Sequence, residues 1–217
     1  MRVVVVGATG RLGARVVADA AGRGHEVRAF SRSVRQDQLP AGATAWPGDA
    51  LSAADVDAVM AGADAVIVAL SMVRTSDFPW ARITTPRDLH SRAAPLLTAA
   101  AARHKVGRYV MVSAHGVGPS APRAGLMFLG LVHASNIGVA YDDLGRAEKI
   151  VQATSLGWTI LRPTRLTTGA PTGLWDVKPD LVTTSLSSIP RDDVATLLVE
   201  LALGRRFVQE AVSVTGV

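Results

Sequence analysis

The run GATGRLG, residues 7–13, constrains this chain more than any other stretch. It follows Val3–Val6 directly and opens an apparent helix over Arg11–Gly22. A strand that stops at a glycine-rich turn and continues as a helix is the arrangement that binds a dinucleotide diphosphate. Gly7 permits the tight turn, Gly10 lets backbone approach the diphosphate, and Gly13 lets the helix pack on the strand. Free N–H groups at the helix start then face the anion. Thr9, Arg11 and Leu12 of the same turn join the glycines as cofactor-contact candidates.

Hydrophobic periodicity extends this unit along the chain. Expected strands are Arg2–Val6, Glu26–Phe30, Ala43–Trp46, Ala65–Leu70, Arg108–Ser113, Trp158–Arg162 and Ala211–Thr215. Between them lie helical patterns: Leu12–Ala21, a helix capped by Ser52 and running to about Met60, and Thr85 to about His104 with Pro86 in its first turn. A further helix is capped by Asp142 or Asp143 and runs through Thr154, and a last one opens at Asp192. Strand–helix alternation of this kind implies an α/β fold, a doubly wound parallel sheet with right-handed crossovers. The expectation is one domain over 1–217, with small substrate-side elements towards the C-terminus. Ligands in such sheets bind beyond the carboxyl ends of the strands. Residues 71–86 and 115–141 read as long irregular stretches, the lengths expected of binding or lid segments.

Composition narrows the function classes. There are no cysteines among the 217 residues, and the five histidines (25, 90, 104, 115 and 133) show no metal-ligand spacing, so no metal site is expected. Val3–Val6 is too short for a signal core, and no apolar run approaches the roughly 20 residues of a membrane span, so a cytoplasmic protein without membrane association is expected. The net charge of +5 comes from dispersed arginines with only Lys105, Lys149 and Lys178 beside them. With few aromatics to stack bases, nucleic acid is not an expected partner.

The end of the second strand bears on which dinucleotide binds. An NAD site usually places a carboxylate there to hold the ribose hydroxyls, and that carboxylate repels a 2′-phosphate. This chain instead reads Phe30-Ser31-Arg32-Ser33 and then Arg35. Ser31, Arg32 and Arg35, with Arg11 as an added cation, point to NADP(H). Asp49 and Ala50 follow the third strand where an adenine amino group can be met. Leu70 and Ser71 follow the fourth, beside the expected diphosphate and ribose path.

With these pieces in place the chain resembles the atypical short-chain dehydrogenase/reductases, the NAD(P)H-binding group that includes NmrA-like proteins. The resemblance rests on GATGRLG at 7–13, FSR at 30–32, GD at 48–49, RYVMVSAHG at 108–116, GWTILRPTRL at 157–166 and IPRDDVA at 189–195. Within the group it looks most like the biliverdin reductase B/flavin reductase type. The resemblance implies a Rossmann fold, an active-site serine at Ser113, and a nicotinamide pocket walled by Pro163 and Thr164. The larger superfamily uses a Tyr-x-x-x-Lys pair, and here its positions hold Ala140 and Leu144. Neither Tyr141 nor Lys149 restores it, since Gly145 stands four residues from each. Biliverdin reductase B-type enzymes also lack the pair and transfer hydride to flavins and tetrapyrroles.

Ser113, His115 and Tyr141 are therefore the catalytic candidates. The leading expectation is an NADPH-dependent oxidoreductase that transfers hydride to a planar conjugated acceptor such as a flavin, a quinone or a secondary metabolite. The segment 126–132, with Met72, Val73, Phe78, Trp80 and Trp175, is a candidate apolar wall. The alternatives are a non-catalytic NADP(H)-sensing regulator of the NmrA-like kind, or a tailoring epimerase or cyclase. Monomer and homodimer are both open.

Overall fold

Four valines in β1 (Arg2–Val6) are fully buried on both faces, which only a central strand of a covered parallel sheet allows. A computed structural model describing residues 1–217 shows this architecture. In chain order, β1 is followed by α1 (Gly13–Gly22), β2 (Glu26–Ser31), β3 (Ala43–Pro47), α2 (Ala53–Met60), β4 (Ala65–Val68), α3 (Leu89–Arg103) and β5 (Arg108–Val112). Then come α4 (Leu126–His133), α5 (Ile137–Gln152), β6 (Trp158–Pro163), β7 (Arg165–Thr167), β8 (Trp175–Lys178), β9 (Ser188–Pro190), α6 (Arg191–Leu203) and β10 (Glu210–Gly216).

The main sheet has the order β3-β2-β1-β4-β5-β6-β10-β8, parallel throughout except for β8, which runs antiparallel to β10. The chain steps outward from β1 to β3, crosses back, and builds the other half from β4. The reversal therefore falls between β1 and β4, directly beside the glycine-rich turn. Alternate residues feed two cores. Val3, Val5, Ala29 and Ile67 face α1 and α6, whereas Val4, Val6, Phe30 and Val68 face α2, α3 and α5. β7 and β9 form a separate two-stranded parallel pair. At the far edge, the Gln36 side-chain amide accepts from Ala45 N (2.8 Å) and donates to Ala43 O (2.9 Å) along β3. No helix is long and apolar enough to cross a membrane.

Several element boundaries depart from the sequence expectation. Ser52 does cap its helix, its Oγ accepting from Asp55 N at 3.3 Å. The next strand stops at Val68, so Leu70 and Ser71 already belong to the loop. α3 starts at Leu89, and Pro86 lies outside it. α5 starts at Ile137, so Asp142 and Asp143 sit inside a helix they were expected to open. Asp143 caps α3 instead. It is fully buried and accepts from His90 N (2.7 Å), Ser91 N (3.3 Å), Ser91 Oγ (2.5 Å) and Arg146 Nη2 (3.1 Å), with His90 Nδ1 at 3.1 Å. These bonds satisfy N–H groups that a helix start leaves open. The stretch expected to be irregular over 115–141 holds a 3-10 turn, all of α4 and the start of α5.

Candidate functional site

The glycine-rich turn has the geometry its spacing predicts. Gly7 has φ of 83°, and a Cβ there would sit 2.6 Å from Ala69 O. A Cβ at Gly13 would sit 2.1 Å from Gly7 O, so the first turn of α1 rests on the loop backbone itself. At Gly10 only Gly7 O comes near, at 3.2 Å, and the remaining side is open. Gly7 N donates to Phe30 O at 2.9 Å, which ties the turn to the end of β2. Thr9 Oγ1 meets Ser31 Oγ at 3.0 Å on the same seam. Leu12 is buried and holds the turn to the core. A cradle with two forbidden Cβ positions and one open one fits a dinucleotide.

The expected cations differ in their surroundings. Arg32 is exposed and makes no hydrogen bond or ion pair, while Arg35 is paired with exposed Asp37 at 2.9 Å. Arg11 reaches away from β2 and forms a bidentate pair with Asp77 of the 71–86 loop, at 2.9 and 2.8 Å. Beyond β3, Asp49 Oδ1 accepts from Leu51 N at 2.9 Å and Ala50 is buried, so this segment is an ordered turn leading into α2. Leu70 O lies 3.4 Å from His90 Nε2, and Ser71 is exposed.

At the ends of β5 and β6 the structure gathers buried polar groups. Ser113 and His115 are both nearly inaccessible, and Ser113 Oγ and His115 Nε2 have no hydrogen-bond partner. Buried polar atoms normally find partners, so two such orphans in one segment mark a place made for something else. His115 Nδ1 is fixed by Ser213 Oγ of β10 at 2.8 Å. Burial pushes the His115 pKa below its usual 6.5, and the cationic Arg162 and Arg123 push the same way; only the Arg123 carbonyl, near the ring without completing a hydrogen bond to it, opposes them. The ring is therefore neutral at pH 7. Tyr141 donates its hydroxyl proton to His115 O at 3.3 Å, and burial raises its pKa. Beneath them, Arg162 and Glu148 form a buried bidentate pair at 2.9 and 2.5 Å. Pro163 and Thr164 close the end of β6, with the Thr164 hydroxyl donating to Thr215 Oγ1 at 3.1 Å.

The rim is apolar. Leu126 and Met127 of α4 are 87% and 83% exposed, and Val73, Phe78 and Trp80 of the 71–86 loop are also exposed. The loop and the α4–α5 junction are joined by Trp80 Nε1 donating to Ala134 O (2.7 Å) and Asn136 Nδ2 donating to Trp80 O (2.9 Å). Met72 is buried. Trp175 is not on this rim: it lies in edge strand β8 and packs with the core beside α6. Two neighbours of the expected residues were missed from sequence, Ser213 beside His115 and Asp77 beside Arg11, and neither carried a local signal.

A family of NAD(P)H-binding proteins matches residues 7–204. The chain belongs to this NAD(P)H-binding family. The resemblance read from the motifs, and the dinucleotide expected from the turn, both stand on that match. Among solved structures, the chain is similar to the oxidoreductase ylbE from Lactococcus lactis (22% identity, TM-score 0.79, 100% of this chain and 91% of that one). It is also similar to ChuY, an anaerobillin reductase from Escherichia coli (24%, TM-score 0.76, 99% and 96%). A third is a short-chain dehydrogenase/reductase from Veillonella parvula in complex with NADP (14%, TM-score 0.78, 98% and 93%). At these identities the likeness shows the fold. No curated protein matches the sequence.

Proposed function

We propose that this family member is an NADPH-dependent oxidoreductase acting on a planar, conjugated acceptor of the flavin, quinone or tetrapyrrole kind. The observation that carries the reading is the pair of buried, unpartnered polar atoms, Ser113 Oγ and His115 Nε2, at the end of β5 beside an apolar rim. The nicotinamide, when bound, supplies hydride. The protein's part is to orient ring against acceptor and to hold hydrogen bonds ready where charge develops. Ser113 Oγ offers a donor to an acceptor oxygen or to the carboxamide. When Ser213 donates to His115 Nδ1, the neutral ring keeps its proton on Nε2 and offers a second donor. Val73, Phe78, Trp80, Leu126 and Met127 suit a flat apolar face better than a small polar alcohol. The preference for NADPH is supported by Arg32, free of any partner beside Ser31, and by the lack of a carboxylate at the end of β2. The named activities of ylbE and ChuY agree with a reductase.

A second reading, a dinucleotide sensor without turnover, draws on two observations: the Tyr141 proton is committed to a backbone carbonyl, and buried Leu144 stands where the superfamily's lysine would be. NADPH oxidation followed with flavin, quinone and tetrapyrrole acceptors separates the two. Acceleration that falls about 10-fold or more in Ser113→Ala supports the oxidoreductase. Tight NADPH binding with no acceleration by any of the three classes rejects it in favour of the sensor.

A further inference from the structure

Arg191 opens α6, immediately after β9, and is only 9% exposed, yet its guanidinium makes no hydrogen bond and no ion pair. Its stem is buried while its nitrogens still reach solvent, so it presents an unpaired charge at the surface of the fold, and its surroundings are unfavourable for a lone cation. The neighbouring charges are Arg11, Arg15 and Asp77, so two cations face it for one anion. Both cations are engaged elsewhere: Arg11 with Asp77, and Arg15 with Asp192 at 2.9 Å. The N-terminal dipole of α6 adds further positive potential at the same point. Such a group is stabilised by an anion that enters the space between Arg191 and Arg11.

Position selects the anion. Arg11 lies inside the glycine-rich turn, where a dinucleotide diphosphate approaches Gly10 and the start of α1. α6 packs beside α1 but reaches across to β4, β5 and β6, the half of the sheet that carries Ser113 and Pro163. It therefore approaches the diphosphate from the nicotinamide side. Resting on the dinucleotide reading above, we propose that Arg191 and Arg11 grip the diphosphate of the bound dinucleotide from its nicotinamide side, and that this diphosphate displaces Asp77 from Arg11. Asp77 and Arg11 are both largely exposed, so their pair is a weak, replaceable contact. Its release also frees one tie between the turn and the 71–86 loop that carries Phe78 and Trp80.

The test is isothermal titration calorimetry of the full-length chain with NADPH, NADH and adenosine 2′,5′-bisphosphate, which lacks the nicotinamide-side phosphate. Arg191→Ala is expected to weaken NADPH binding by about 10- to 100-fold, the range of a charge-assisted hydrogen bond, and to leave adenosine 2′,5′-bisphosphate within about twofold. Asp77→Asn, an exposed change that does not threaten the fold, is expected to tighten NADPH by about two- to fivefold by freeing Arg11. Unchanged NADPH binding in Arg191→Ala, or an equal loss for both ligands, overturns the grip. If Arg191→Ala does not fold, Arg191→Lys replaces it; wild-type NADPH affinity in Arg191→Lys together with no gain in Asp77→Asn overturns it. A wild-type chain that binds NADH as tightly as NADPH refutes the NADPH preference alone. The Arg191→Ala loss is then read on NADH, with the same criteria.

Discussion

Replacing Asp143 by alanine tests whether two helices are joined by one buried carboxylate. Asp143 receives two backbone N–H groups at the start of α3, the Ser91 hydroxyl, the His90 ring and the Arg146 guanidinium. Summing these contacts overshoots, because they share two oxygens. The appropriate scale is the removal of one partner from a buried charged cluster, about 3–5 kcal/mol, within which the lost helix cap accounts for about 1 kcal/mol. For a chain of this size that corresponds to a melting temperature lower by roughly 6–20 °C. Asp143→Asn keeps one acceptor oxygen and is expected to lose about half as much. Burial alone would raise the Asp143 pKa, but the hydrogen bonds from His90 and Ser91 outweigh it and hold the carboxyl well below its usual 3.8. A depressed folded-state pKa contributes stability that is present above the unfolded value and lost as pH falls below it. The gap between wild type and Asp143→Asn is therefore expected to narrow below about pH 4, measured by thermal melts followed by circular dichroism. A melting temperature within about 2 °C of wild type for Asp143→Ala at pH 7 would show that α3 does not depend on this cap.

Other outcomes follow from the same geometry. Glu148→Gln leaves buried Arg162 without its counter-charge and is expected to cost about 3–5 kcal/mol in urea unfolding; loss below about 1 kcal/mol would mean the pair is dispensable. Gly13→Ala drives a methyl into Gly7 O, so the turn must shift; calorimetry should show NADPH binding weakened at least about tenfold, and unchanged binding would contradict the turn geometry. Arg32→Ala is expected to weaken NADPH about 10-fold or more and NADH little, since only the former carries a 2′-phosphate for the charge to meet. The depressed His115 pKa makes its contribution to stability present above 6.5 and lost as pH falls below that value. His115→Asn should flatten that part of the pH–melting curve, and an unchanged slope would count against a buried neutral ring.

The first half of the fold was legible because its signals are local. Val3–Val6, the glycine triplet and the period of α1 lie within the first 22 residues, and each feature needs only its neighbours. The same is true of Ser52, whose capping bond spans three residues. Legibility failed where the partner is distant. Asp143 looks like a cap and is one, but for a helix that starts 54 positions earlier, so α5 was given a wrong beginning. Among the candidate site residues, motif and spacing singled out the glycines, whose close backbone approaches the structure shows, and Ser113, which it buries without a partner. Arg11 was assigned to a ribose phosphate because sequence shows a charge without its direction, and the structure turns it towards Asp77. Ser213, 98 residues from His115, becomes its neighbour only through the pairing of β10 with β6.

The Gln36 amide beside β3 has a consequence for how copies of this chain meet. An uncovered strand edge offers peptide groups in a repeating row, and another extended chain can continue that row. Here one side chain takes the places of both a carbonyl and an N–H along Ala43–Ala45, in effect posing as the first peptide unit of a further strand that never arrives. The ladder ends on a group that has no chain behind it to propagate. Growth by strand addition at this margin has nowhere to begin.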